Sequence, residues 1–360
     1  MARHREQEVP NFLRAAGSDL AEQYFLRLFR REELPPYLVG MNSDYVGFLL
    51  GRIDESLRAV ILDEFRRISD ICKWGKELPE IAGRRFDVSL PATDKPEAMA
   101  MRLFLDYPRV FSLAWALYAY RASYARISQH WLQHREARMD ATVMATFASE
   151  MQAFFAKQDR GLQCQVDFSD SRVELVVWVL HGSQERTIPC WRDHKVAPNC
   201  FCPACEDVLI YDKSRGLLSV KVSKREDVEQ YVRSFAKLVL GDASLADHPQ
   251  RDLIYTLEPF QSGQFDWAGS GAVVAVERRR AKLNLDGSED TVLEIAGKGV
   301  ADDLRQGRLM EIKIKFTVEC DGKKESVTGT LVPPCITDVV KKKHDDVIED
   351  YLREKGVLLR

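Results

Sequence analysis

The sequence predicts an α+β fold: an N-terminal helical, bundle-like domain followed by a mixed α+β domain with antiparallel hairpins. Three observations carry this. Apolar residues recur at helical spacing through the first ~160 residues, as expected where one face of each helix is buried. After Gly161 the runs become short, β-branched and alternating. Turn signals of the Asp-Gly type then punctuate the chain at Asp286-Gly287 and Asp321-Gly322.

From Ser43 to Cys72, residues Val46, Leu49, Leu50, Ile53, Leu57, Val60, Ile61, Phe65, Ile68 and Ile71 form one broad apolar stripe, predicting a helix. Asp94 with Glu97 three residues on reads as a capping box, and Pro96 suits a first turn. Pro108 opens a helical run through Val110, Phe111, Leu113, Ala114, Leu117 and Tyr118 toward Trp131. A further helix is expected over Asp140–Gln158, carrying Val143, Phe147, Met151, Phe154 and Phe155. Packed stripe to stripe, these helices make a bundle.

Val173–Leu180 predicts a buried strand. Val208–Tyr211 and Leu217–Val222 flank Asp212-Lys-Ser-Arg-Gly216, which predicts a hairpin with Gly216 in a left-handed position. Ser223 and Glu226 form an S-x-x-E capping box before a helix with Val228, Tyr231, Val232, Phe235, Leu238 and Val239, ending at Gly241. Between Glu311 and Glu319, Ile312, Ile314, Phe316 and Val318 alternate with Glu311, Lys313, Lys315 and Thr317, predicting a half-buried strand. Pro333-Pro334 stops its partner. A terminal helix follows with Val340, Val347, Ile348, Tyr351 and Leu352 inward and Gly356 as C-cap. The expected domains are 1–160 and 161–360, the second with a Cys-rich loop at 190–205. Composition leaves a sub-boundary near 245–270 open.

The chain has 360 residues, 45% hydrophobic and 30% charged, with 52 Lys plus Arg against 55 Asp plus Glu, a net charge of −3. That balance excludes a chain that is cationic throughout, but leaves room for a local basic patch. Met1–Pro10 has no signal-peptide character, and the longest uncharged apolar run, Val110–Tyr120, is far short of the roughly 20 residues a membrane helix needs. The expectation is a cytoplasmic protein that does not enter membranes, whose eight Cys are thiols or metal ligands.

Cys190-Trp-Arg-Asp-His194 followed by Cys200-Phe-Cys202-Pro-Ala-Cys205 is the densest cluster of ligand-type residues. A C-P-x-C turn aims its amides at two thiolates and suits zinc, with Cys190 and either His194 or Cys200 completing a structural shell. A metal-free loop and a redox dithiol are the alternatives. His130 and His134 stand at i, i+4 on an expected helix, the spacing of a metal pair, with a solvated helix face as the plainer reading. Arg278-Arg279-Arg280 with Lys282 is a basic run in an expected strand, suited to a phosphate backbone, an acidic partner or a solvated sheet edge. No phosphate-binding glycine loop, dinucleotide fingerprint or nucleophile elbow is present.

Two segments carry resemblances. Arg126-Ile-Ser-Gln-His130 resembles the Arg…His motif of HEPN-type ribonucleases, with three intervening residues where that family has four to six. Glu311-Ile-Lys313 resembles the E-x-K half of the PD-(D/E)xK nuclease motif, implying metal-dependent phosphodiester cleavage by Glu311 and Lys313; Asp286, Asp290, Asp302 or Asp303 would supply the upstream acid. The layout of a helical first half, a hairpin with a capped helix, and Pro333-Pro334 before the Tyr351-Leu352 helix resembles bacterial proteins encoded near phage-defence genes, implying a place in antiviral defence. Together these features predict a non-enzymatic binding, regulatory or scaffold protein with a structural zinc knuckle, meeting a protein partner and, through the basic run, nucleic acid. A Glu311/Lys313 nuclease is the alternative.

Overall fold

The computed structural model describes residues 2–29, 53–91, 95–122, 126–192, 195–285, 292–296, 304–320, 322–341 and 343–360. The fold is α+β, and the chain divides into two compact units: residues 1–119 with 169–171, and residues 120–168 with 172–360.

The described helices of the first unit are α1 (Ala2–Ala16), α2 (Ser18–Phe29), α3 (Glu55–Cys72), α4 (Leu78–Phe86), α5 (Pro96–Asp106) and α6 (Pro108–Ala122), whose last three residues belong to the second unit. Their stripes meet in one core containing Leu13, Phe25, Ile61, Phe65, Ile68, Met99 and Leu103. At ~2 kcal/mol for each large apolar side chain buried, this core is what holds the helices. Residues 43–52 and Asp94, expected at two helix starts, lie outside the described residues.

Among the described residues, the second unit is built on thirteen strands: β1 (Ile127–Trp131), β2 (Cys164–Asp170), β3 (Glu174–Gly182), β4 (Arg186–Arg192), β5 (Lys195–Phe201), β6 (Ala204–Asp212), β7 (Leu217–Lys221), β8 (Ala268–Ser270), β9 (Val273–Asn284), β10 (Val292–Ala296), β11 (Arg308–Cys320), β12 (Lys323–Val332) and β13 (Ile336–Thr337). Eleven form one sheet ordered β10-β9-β11-β12-β13-β1-β7-β6-β3-β2, with β8 on β9, while β4 and β5 make a separate two-stranded ribbon. The helices here are α7 (Ala141–Ala156), α8 (Val228–Ser234), α9 (Glu258–Ser262) and α10 (Asp345–Glu354).

Neighbouring β7 residues point to opposite faces, so Leu217 and Leu218 enter different cores. On one side Ile312, Ile314, Phe316 and Val318 of β11 pack with Phe260 of α9 and Ile348, Tyr351 and Leu352 of α10. On the other, Val177, Val179, Leu209 and Val220 pack with Phe147, Met151 and Phe155 of α7. The expected strands at 173–180, 208–211, 217–222 and 311–319 are thus β3, β6, β7 and β11.

Three local expectations are corrected. The helix expected to run from Pro108 to Trp131 ends at Ala122, and residues 127–131 are a strand between β13 and β7. Ladder bonds on both sides override the weak helical periodicity there. His130 and His134 therefore do not share a helix, and the helical setting of the HEPN motif is absent at Arg126 and His130. The helix at 141–156 packs on the sheet rather than closing a bundle, because Phe147, Met151 and Phe155 face β3 and β6. The Ser223/Glu226 capping box is not formed. Buried Asp207 instead accepts from the Ser223 amide at 2.6 Å, the Ser223 hydroxyl at 2.9 Å and the Tyr231 hydroxyl at 2.9 Å, and pairs with His181 Nε2 at 2.9 Å. A buried carboxylate needs these partners more than an exposed helix end needs a cap.

Candidate functional site

The polar face of β9 and β11 gathers the largest group of predicted site residues. Glu311 lies opposite Lys282 and Lys313 opposite Arg280, so these four side chains share one face. The register then shifts: Lys313 pairs with Arg280, but Ile314 pairs with Arg278, leaving Arg279 as the extra residue of a β-bulge. Arg278 follows Ile314 to the core side and is buried. Arg279 is exposed beside Arg280. A run of three consecutive arginines is thereby divided, with Arg279 and Arg280 opening onto an open cleft of about 480 Å³ that is also lined by Lys313 and Thr328.

Glu311 organises the group. Its Oε1 accepts from Arg280 at 2.7 Å, its Oε2 accepts from Arg126 at 2.8 Å, and Lys282 Nζ stands 3.8 Å away. The residue is only 5% exposed. Burial raises its pKa, but the bonds from Arg126 and Arg280 and the charge of Lys282 outweigh that and hold the carboxyl below its ordinary value. Arg279 leans on Glu277 at 3.6 Å and Arg280 on Glu294 at 3.3 Å. Counting Arg126, Arg279, Arg280, Lys282 and Lys313 against Glu277, Glu294 and Glu311, the face is cationic. A cleft of this sign attracts anions and repels a divalent cation.

Glu311 and Lys313 do lie side by side, as an E-x-K pair requires. Guanidinium groups hold both Glu311 oxygens, however, where a metal site would need them free. Asp286, Asp290, Asp302 and Asp303 lie outside the described residues.

The cysteine segment is not the loop expected at 190–205. Its first part is the β4–β5 ribbon, with Thr187 opposite Cys200 and Cys190 opposite Ala197. Directly paired residues share a face and residues three apart along a strand do not, so Cys190 and Cys200 project from opposite faces. Cys200 Sγ lies 3.2 Å from the Thr187 hydroxyl. Cys202 is exposed between strands, and Cys205, the second residue of β6, lies opposite His181. His194 lies outside the described residues. Among the described residues, no three His, Cys, Asp or Glu side chains are placed to hold a metal ion together.

No helix of the described residues is long and apolar enough to cross a membrane. The chain matches no protein-family model and no curated protein. Arg126 carries no local signal of its place in the cationic group, because its partner Glu311 is 185 residues away along the chain.

Proposed function

We propose that this protein binds nucleic acid through the phosphate backbone, which lies across the β9–β11 face. The observation that carries this is the convergence of Arg279, Arg280 and Lys313 on one open cleft, set beside the Glu311 cluster. The bulge supports the reading, since it turns Arg279 and Arg280 toward the same cleft instead of alternating them. Guanidinium and ammonium groups at such spacing take phosphate oxygens without reading bases, giving affinity and little sequence preference. Thr328 adds a hydroxyl that can donate to a phosphate.

The test is fluorescence anisotropy of a labelled DNA duplex and a labelled single-stranded RNA with the full chain. Binding is expected to weaken steeply between about 50 and 200 mM salt. Arg279→Ala with Lys313→Ala is expected to reduce the slope of log affinity against log salt by about 2, because a phosphate that no side chain neutralises keeps its counterion, about one per cation removed. Binding by the double variant equal to that of the parent overturns the reading, as does no binding of either nucleic acid at low salt.

A further inference from the structure

A second cluster lies on β1. Ser128 Oγ is 2.8 Å from His130 Nε2, and His130 Nδ1 is 2.7 Å from Asp252 Oδ1. Ser128 and His130 are two apart on the strand, so both project from one face. Asp252 comes from the segment that runs along the part of β1 beyond its pairing with β13. The Trp131 amide donates to the Arg251 carbonyl at 2.7 Å and the Gln129 amide to the Cys335 carbonyl at 2.8 Å. The amides of Ile254 and Tyr255 both donate to the Pro334 carbonyl, at 3.0 and 2.8 Å. These backbone bonds fix Asp252 over the imidazole.

Proton placement follows from the carboxylate. Burial raises the Asp252 pKa, but bonds from His130 and Arg251 outweigh it and pull the group well below its ordinary value. An ionised carboxylate only accepts, so His130 Nδ1 carries a proton, and in the neutral imidazole Nε2 accepts from the Ser128 hydroxyl. Cys335 Sγ is 3.6 Å from Ser128 Oγ, but burial pushes that thiol up and keeps it protonated. His130 is buried, and the groups on either side of it, Ser128 and Asp252, are both partly exposed.

We infer that Ser128, His130 and Asp252 form a nucleophilic relay that hydrolyses carboxylic esters through an acyl-serine. Ser128 is the nucleophile, His130 the general base and acid, and Asp252 the positioning residue. As Oγ bonds to the ester carbon, its proton passes to Nε2. The carbon–alkoxide bond breaks and the alcohol leaves with that proton. Water then attacks the acyl carbon and gives a proton to Nε2. The carbon–Oγ bond breaks, Oγ recovers the proton, and the acid is released. Ester and water become acid and alcohol with no change of oxidation state. The inference is independent of nucleic-acid binding, because no residue of the β9–β11 cleft takes part.

The experiment is labelling of the full-length chain with a fluorophosphonate, read by intact mass and peptide mapping, with p-nitrophenyl acetate turnover as second readout. One adduct on Ser128 is expected, absent in Ser128→Ala. Asp252→Asn is expected to slow labelling about 100-fold and Asp252→Glu to recover part of that loss. Unchanged melting of Ser128→Ala shows that the fold is kept, since the site is partly exposed. A folded parent protein that takes no label overturns the inference. So does an adduct that persists at the same rate in Ser128→Ala, or an adduct that maps to Cys335 or elsewhere.

Discussion

At the scale of single residues, Glu311 decides how the cationic face is held. It is a nearly buried anion with cations on both oxygens. Removing it takes away the counter-charge that Arg126, Arg280 and Lys282 share and leaves Arg280 its longer contact with Glu294. Breaking a buried pair costs several kcal/mol, and the partial exposure of the three cations lowers the figure here. Glu311→Ala is expected to destabilise the protein by about 2 kcal/mol in urea unfolding and to raise nucleic-acid affinity in the folded fraction. Equal stability of the variant and the parent shows that the cluster is surface decoration. Alternation alone announces that Glu311 and Lys313 share a face. It does not announce Arg126, whose place depends on a strand pairing far along the chain. Ser128 and His130 carry a signal too, a polar i, i+2 pair on one strand face. It stays hidden because the segment reads as the tail of a helix, where i, i+2 residues diverge.

At the scale of elements, local chemistry is most legible where one residue has no substitute. Gly216 joins β6 to β7 at φ +64°, and a Cβ there would fall 2.1 Å from the Gln133 carbonyl oxygen. Both the left-handed backbone and the close approach demand glycine. Gly216→Ala is expected to cost more than about 2 kcal/mol, read as a lowered midpoint in chemical unfolding; a loss below about 0.5 kcal/mol would show that the turn relaxes freely. The 186–201 segment shows the opposite case. Cysteine spacing suggests a metal loop, yet the chain forms a ribbon in which Trp191 and Val196 are directly paired and 77% and 59% exposed. Alternation along a strand separates Cys190 from Cys200, and no spacing rule contains that information. The helix after Ser223 is legible in its stripe, but not in its end. It passes into a π-helical turn at Phe235–Val239 before Gly241 turns left-handed at φ +70°.

At the scale of the whole molecule, the class of fold is legible because helical period and strand alternation occupy different stretches of the chain. The place of α7 is not, since an amphipathic helix has the same pattern on a helix and on a sheet. One partly buried acid of the second unit gives a pH signature for global stability. Asp345, in the first turn of α10, is pushed up to about 6, first by burial and then by Glu349, with Arg121 opposing. An aspartate in the unfolded chain ionises near ~3.9. Between these values the folded state holds a proton that the unfolded state has released, so stability falls as pH rises. The contribution is fully present below about pH 4 and is lost as pH passes about 6. Asp345→Asn keeps the neutral form at every pH. Denaturation midpoints of the variant and the parent are therefore expected to agree near pH 4. They should separate in favour of the variant by pH 8, by about 2 kcal/mol after allowance for solvent access. A constant difference across that range would place the Asp345 carboxyl in water and remove it from the pH dependence of folding.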